Sequence, residues 1–239
     1  NVLTLTPYKA GKTTVTVSLN HKVFFKIKLN TIVVKMTTNS VLMTTGQTKK
    51  LTVHGCKASK VKWTSSNPSV VSVSSSGKIK GKKNGNAVIK AKVGDYAFGC
   101  AVSVVPKSRK RAINKALYIY KTSKYSQAKR MQNKFYDCSS LAYYSWKAAG
   151  IDISYGGANT AAAEAEGLDS AGHTVAYADM QPGDLIFYSY ERNGRYKNIS
   201  HVAVYVGNGM VVEAKGVAYG VTYNAVPNVG SIVLIGRPQ

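Results

Sequence analysis

A cysteine at the start of a predicted helix is the most reactive group that the sequence offers. Cys138 follows Asp137, which is a good N-cap residue. The positions that share one helical face after it are Leu141, Tyr144, Ser145 and Ala148. The pattern therefore predicts a helix of about three turns with Cys138 at its first position. There the helix dipole and the unpaired N–H groups favour a thiolate, and the cysteine amide could donate to an oxyanion.

A thiolate nucleophile needs a base, and the base needs an orienting partner. A predicted hairpin around Gly207-Asn208-Gly209 carries His201 on its first strand and Glu213 on its second. With a three-residue loop, His201 and Glu213 project from the same face as diagonal neighbours. A two-residue turn at Asn208-Gly209 would instead shift the pairing by one residue and send Glu213 to the opposite face. Taken singly, a buried structural thiol and a surface histidine are the common alternatives, whereas their combination favours catalysis.

Three segments of the second half resemble, in order, the NlpC/p60 family of papain-like cysteine peptidases. They are Asp137-Cys138-Ser139-Ser140, Gln181-Pro182-Gly183-Asp184-Leu185, and His201-Val202-x-Val204-Tyr205-x-Gly207-x-Gly209. The likeness runs from about residue 120 to the C-terminus and implies an α+β papain-like fold. It also implies hydrolysis of bacterial peptidoglycan peptides, often at the bond from D-glutamate to a diamino acid, with no metal or organic cofactor.

The same resemblance implies roles for six residues. Cys138 is the nucleophile, His201 is the base, and Glu213 is the third, polar residue that orients the imidazole. Tyr125 lies near the position of a family tyrosine that helps the oxyanion or the substrate. The family positions that can bind the free amine of the substrate are matched by Asp137 and Ser139. The sequence departs from the family where Ser126-Gln127-Ala128-Lys129-Arg130 replaces a Gly-rich segment.

Two other function classes fit the same residues. The chain could be a surface adhesin or spacer whose papain-like half is inactive. It could also be an amidase or an acyltransferase on the same scaffold, because these enzymes share the thioester intermediate.

The first half contains an internal repeat of predicted strands. Lys9 to Val17 aligns with Lys83 to Ala91 at an offset of 74 residues, and a second strand follows in both copies. Residues 31–106 resemble a bacterial immunoglobulin-like domain of group 2, on the segments Trp63 to Pro68, Gly77-Lys78-Ile79 and Lys83-x-Gly85. That resemblance implies a β-sandwich spacer or adhesive module. Whether its Cys56 and Cys100 form a disulfide stays open, because the sequence does not place their Cα atoms.

The charged residues are divided unevenly between the two halves of the chain. Residues 1–136 carry 27 basic side chains and one acidic side chain, whereas residues 137–239 carry 6 basic and 9 acidic ones. We expect the first half to bind anionic cell-wall polymers through screened, sequence-independent attraction. Nucleic acid is not expected, since the basic half has no basic helix and no zinc-finger spacing. The basic run in residues 107–136 is interpreted as a solvated face, partly on an amphipathic helix.

These observations predict a multidomain chain, with an all-β immunoglobulin-like sandwich followed by an α+β papain-like domain. The expected divisions are the end of a truncated immunoglobulin-like repeat (1–30), a complete repeat (31–106), a basic connector with the first catalytic helix (107–136) and the peptidase core (137–239). The sequence has no run of about 18 apolar residues that would span a membrane. We expect a secreted protein that is associated with the cell wall.

Overall fold

The computed structural model describes residues 10–20 and 22–239. These residues form a β-rich first half and a mixed α and β second half. The strands and helices are β1 (Gly11–Leu19), β2 (Lys22–Thr31), β3 (Lys35–Met36), β4 (Ser40–Met43), β5 (Thr48–Lys50), β6 (Val53–His54), β7 (Lys62–Ser65), β8 (Val71–Val73), β9 (Lys78–Gly81), β10 (Gly85–Val93), β11 (Tyr96–Val104), α1 (Lys107–Thr122), β12 (Lys124–Tyr125), β13 (Phe135–Tyr136), α2 (Cys138–Lys147), α3 (Ala161–Ser170), β14 (Leu185–Tyr188), β15 (His201–Gly207), β16 (Met210–Gly216), β17 (Gly220–Ala225) and β18 (Ile232–Gly236).

The hairpin β1–β2 recurs as the hairpin β10–β11 at the predicted offset of 74 residues. β1 pairs with β2 from Gly11 opposite Thr31, and β10 pairs with β11 from Gly85 opposite Val104. Because Gly11 and Gly85 are 74 residues apart, the sequence repeat corresponds to a repeated antiparallel hairpin. Residues 1–9 and 21 of the predicted truncated repeat lie outside the described residues.

A two-layered β-sandwich follows the first hairpin. One sheet has the strand order β4-β11-β10-β7 and the other has the order β5-β9-β8. The two sheets bury alternate residues, such as Ile79 and Ile89, and they expose the lysines between them. The partly buried Trp63 packs against this core. Cys56 and Cys100 are both free thiols, so the disulfide that the sequence left open is not formed.

The second half is built on a five-stranded sheet with the order β17-β16-β15-β14-β18. Its strands pair antiparallel. Helices α1, α2 and α3 share one apolar core with one face of the sheet. A second cluster covers the other face. This two-sided burial explains why all four residues of β14 are apolar or aromatic and buried.

The basic run before the second half is not wholly a solvated face, so that interpretation is wrong in part. Arg109 on α1 is only 6% exposed and lies 3.1 Å from a carboxylate oxygen of Asp184. Arg237 contacts the other oxygen of Asp184 at 2.8 Å. A buried carboxylate needs such partners, because an unpaired charge in the interior is costly. These ion pairs hold the Pro182-Gly183-Asp184 turn against α1. Strand β14 begins directly after this turn.

None of the helices in the described ranges is long and apolar enough to cross a membrane.

Candidate active site

Helix α2 begins at Cys138, as the sequence predicts. The Asp137 carboxylate accepts from the backbone N–H of Ser140 at 2.8 Å, and the Ser140 hydroxyl accepts from the Asp137 N–H at 2.9 Å. This reciprocal capping box fixes the first turn of the helix. The half-buried thiol therefore lies at the positive end of α2.

The imidazole of His201 connects the thiol to a carboxylate. The His201 side chain lies close enough to that of Cys138 for the two groups to influence each other's charge. On its other side, Nε2 donates to Oε2 of Glu213 over 2.6 Å. His201 is 8% exposed and Glu213 is 1% exposed. His201 is thus hydrogen bonded to Glu213 and lies beside Cys138, in a part of the site that is largely shielded from water.

The register of the β15–β16 hairpin combines the two alternatives that the sequence left open. The tip is the tight turn, with Gly207 opposite Met210 and with positive φ at Asn208 and Gly209. A β-bulge between Tyr205 and Gly207 then shifts the pairing back by one residue, so that Val204 lies opposite Val212. Because of the bulge, His201 and Glu213 share a face despite the two-residue turn.

A second side chain holds the Glu213 carboxylate. Asn224 on β17 donates from Nδ2 to Oε1 of Glu213 over 3.1 Å, which leaves Oε2 for His201. Glu213 lies opposite Thr222, so Asn224 is its diagonal neighbour on the same face. The sequence analysis did not select Asn224, since the pairing of β16 with β17 was not predicted.

The electrostatics of the site favour a charged imidazole. Burial lowers the pKa of His201, but the hydrogen bonds and charges of Cys138 and Glu213 outweigh it and raise the pKa to about 9. Burial acts to raise the pKa of Glu213, yet the hydrogen bond and charge of His201 and the hydrogen bond from Asn224 leave it lowered. The buried Glu213 carboxylate therefore stabilises the imidazolium form of His201.

Aromatic residues line the surroundings of the imidazole and the thiol. Tyr188 and Tyr190 stack with ring centroids 5.7 Å apart, and both lie about 6 Å from the His201 ring. Tyr125 on β12 pairs with Tyr136, which directly precedes Asp137. Burial raises the pKa of Tyr125, and the nearby charges of Cys138 and Asp137 raise it further. The predicted tyrosine is therefore close to the thiol and protonated at neutral pH.

Asp137 and Ser139 are buried and share a cation that the sequence analysis missed. Arg130 Nη1 donates to Asp137 Oδ2 over 3.1 Å and to Ser139 Oγ over 3.0 Å. It also donates to the backbone carbonyl of Asn159. Arg130 belongs to the segment that departs from the resembled family. That departure was the only sequence signal for it.

A second buried acidic residue, Glu164, lies near Arg130 and Asp137. Glu164 on α3 has no exposed surface, and neither of its carboxylate oxygens has a hydrogen-bond partner among the described residues. Burial raises the pKa of Glu164 well above its usual value, the charges of Cys138 and Asp137 raise it further, and Arg130 opposes them. Helix α3 begins after Thr160, whose side chain accepts from the backbone N–H of Ala163, and it buries Glu164 on its inner side.

Two family profiles match this chain, one for each half. The NlpC/P60 family matches residues 121–231, and the Bacterial Ig-like domain (group 2) matches residues 32–104. The chain therefore carries a group 2 immunoglobulin-like domain followed by a domain of the NlpC/P60 family. The predicted fold class, a β-sandwich followed by an α+β papain-like domain, is confirmed. The NlpC/P60 range includes Tyr125, Cys138, His201 and Glu213.

Curated relatives of this chain are named as endopeptidases. The chain is 30% identical over 121 residues to the peptidoglycan DL-endopeptidase CwlO of Bacillus licheniformis, which covers 48% of this chain and 24% of that protein. It is 33% identical over 87 residues to the probable endopeptidase p60 of Listeria monocytogenes, over 35% of this chain and 15% of that protein. The chain thus spans at most about a quarter of the length of these relatives.

Solved structures of the family are also similar to this chain. NlpC1 from Trichomonas vaginalis superposes with a TM-score of 0.46 at 19% identity, over 69% of this chain and 63% of that one. The NlpC/p60 domain of the peptidoglycan hydrolase SagA superposes with a TM-score of 0.42 at 20% identity, over 54% of this chain and 97% of that one.

Proposed function

We propose that this chain is a peptidoglycan hydrolase, a cysteine endopeptidase that cuts stem peptides at the bond from D-glutamate to the diamino acid. The observation that carries the proposal is His201, which is hydrogen bonded to the buried Glu213 carboxylate at 2.6 Å and lies beside Cys138 at the start of α2. Relatives named as endopeptidases support the reaction class. The choice of bond rests on the resemblance to the family.

The proposed reaction begins with attack by the Cys138 thiolate on the carbonyl carbon of the scissile bond. The carbonyl oxygen becomes an oxyanion, which can accept from the Cys138 backbone N–H and the Tyr125 hydroxyl. The His201 imidazolium then gives its proton to the leaving amine as the C–N bond breaks and the thioester remains. His201, now neutral, takes a proton from water, which attacks the thioester and releases the acid and Cys138.

Glu213 acts through His201 in this mechanism. Its carboxylate accepts from Nε2, which turns Nδ1 towards the sulfur and stabilises the imidazolium. Asn224 holds the carboxylate in turn. Without these two contacts, His201 could rotate away from the thiol.

The immunoglobulin-like half serves, in our proposal, to hold the enzyme on a polyanionic cell wall. Residues 31–106 contain twelve lysines and a single acidic residue, Asp95. Every one of these lysines is exposed, on both outer faces of the sandwich. Such a surface attracts polyanions in a salt-dependent way. The proposed organisation is therefore a wall-binding module before the peptidase core (137–239), in a secreted, wall-associated protein.

Digestion of purified peptidoglycan, read by mass spectrometry, tests the catalytic proposal. The full chain should release fragments that end in D-glutamate, and Cys138→Ala should fold normally and release none. Release by Cys138→Ala at the parent rate would show that another group is the nucleophile. Fragments cut at the amide between glycan and peptide would identify an amidase instead.

Retention on intact cell walls tests the binding proposal separately. The inactive Cys138→Ala chain should elute as sodium chloride rises, and it should bind less to walls stripped of anionic polymer. Retention that is independent of salt would contradict an electrostatic attachment.

A further inference from the structure

The nitrogen Nη1 of Arg130 lies among three oxygens beside the proposed nucleophile. These are Oδ2 of Asp137 at 3.1 Å, Oγ of Ser139 at 3.0 Å and the carbonyl oxygen of Asn159. A guanidinium Nη1 has two N–H donors, whereas an ammonium has three. Three acceptors around one nitrogen match the donors of an ammonium, but an arginine of the chain itself holds the position.

Three of the about four acceptor positions of the Asp137 carboxylate are already used. Its Oδ1 accepts from the Ser140 N–H at 2.8 Å and from the Ser139 hydroxyl at 3.3 Å. Its Oδ2 accepts from Arg130, and the side chains of Asp137 and Arg130 are only 4% and 23% exposed. A substrate ammonium that entered here would have to displace Arg130 and leave its guanidinium unpaired beside a second cation.

That displacement is unfavourable because Arg130 is tethered. A group on the same chain competes at an effective concentration of about millimolar or more, with no loss of translational freedom. A partly buried, charge-assisted pair is also costly to break. An uncharged amide at the same place carries no positive charge to repel the guanidinium, and it leaves the pair intact.

Arg130 also offsets the negative charge of the acidic residues around it, and the buried Glu164 is one of them. Its unpartnered carboxyl lies within the electrostatic reach of Arg130, Asp137 and Cys138. Without Arg130, this corner of the site would hold two carboxyl groups and no arginine. The Asp137 carboxylate would then be free to bind a substrate ammonium.

We propose that Arg130 is a specificity residue that makes the enzyme select stem peptides whose amino end is capped by an amide and reject those with a free ammonium. The inference rests on the proposed function, because it concerns the substrate of the same site. It predicts action on stems that are still attached to other groups through their amino end.

A matched pair of stem peptides tests the inference, one with a free amino end and one N-acetylated. The parent chain should cut the acetylated peptide with a kcat/KM at least about tenfold higher. Arg130→Ala should shift this ratio at least tenfold towards the free amine. Arg130→Lys should keep the parent preference because it keeps the cation, and so should Lys129→Ala, which removes the neighbouring exposed lysine. A parent preference for the free amine, or an unchanged ratio in Arg130→Ala, would overturn the inference.

Binding of the two peptides to Cys138→Ala separates this inference from the proposed reaction. Tighter binding of the acetylated peptide supports the role of Arg130, even if the parent chain cuts neither peptide and the proposed reaction fails. Equal binding, tighter binding of the free amine, or no binding of either peptide refutes the role of Arg130. Since the parent sequence around Arg130 is intact in this chain, the result holds even if Arg130→Ala does not fold.

Discussion

Two cysteines in the two halves of this chain have the same side chain and opposite environments. Cys100 lies on β11 with no exposed surface, opposite Ile89 in the core of the sandwich. Burial raises the pKa of Cys100, which the charge of Lys49 only partly offsets. Cys138 is half-buried at the first position of a helix, with the imidazole of His201 beside it.

The comparison indicates that position, rather than residue type, separates a packing thiol from the nucleophile that we propose. In the sandwich, the thiol acts as a small apolar group and keeps its proton. At the start of α2, by contrast, the thiol lies at the positive end of a helix and beside His201, which is the setting that we propose for a nucleophile. The two sites therefore predict different responses to the same substitution.

The largest expected difference is in catalysis. Cys138→Ala should lower kcat/KM for peptidoglycan fragments by at least about 10⁴-fold, because the attacking atom is lost. Cys100→Ala should leave kcat/KM unchanged and cost about 1 kcal/mol of unfolding free energy through a small cavity. Steady-state rates and denaturant unfolding of both variants measure this, and equal activities would remove the distinction.

Alkylation should separate the same two thiols in the unmodified chain. Iodoacetamide should label Cys138 at least about 10³-fold faster than Cys100, because Cys100 is accessible only when the sandwich opens. Peptide mapping after timed quenching gives both rates. Denaturant should abolish the difference, and similar rates in the native chain would contradict the packing described for Cys100.

The orienting carboxylate has a smaller expected effect. Glu213→Gln should lower kcat by about 10²-fold, because the uncharged amide no longer stabilises the imidazolium. Thr222→Ala, a change beside Glu213 on β17 that spares the Nε2 contact, serves as the control and should stay within about twofold. A Glu213→Gln enzyme as active as the parent would show that His201 needs no acidic partner.

The smallest expected effect is on pH dependence. The pKa of His201 is raised to about 9, so its imidazolium is lost as pH rises through that value. We expect kcat/KM to fall about tenfold per pH unit above pH 9. The same ionisation stabilises the fold below the ordinary histidine pKa, and this contribution disappears as pH rises through about 9. In Glu213→Gln the basic limb should move to lower pH, and an unmoved limb would assign it to another group.

The local parts of this architecture were predictable from the sequence. The Asp137 cap, the helix from Cys138 and the 74-residue hairpin repeat follow from patterns within short segments. The sequence allowed the contact between His201 and Glu213 but did not establish it, because the contact depends on a one-residue bulge near Val206. Two turn geometries of similar energy fit the same Gly-Asn-Gly sequence, so the register could not be decided.

The contacts that join distant segments were not predictable. Arg130 reaches Asn159 across 29 residues, and Arg109 reaches Asp184 across 75 residues. In the sequence both arginines belong to a run of basic residues that is typical of a solvated surface. Only the packing of α1 and α3 against the sheet shows which of these charges are buried and paired.

Trapping the covalent intermediate tests the central claim most directly. A stem peptide mixed with the parent chain and quenched in acid within the first turnover should leave an acyl group on the tryptic peptide that contains Cys138. Release of that group at neutral pH should match the catalytic rate. An acyl group on any other residue, or turnover by Cys138→Ala with no adduct at all, would contradict the assignment of Cys138 as the nucleophile.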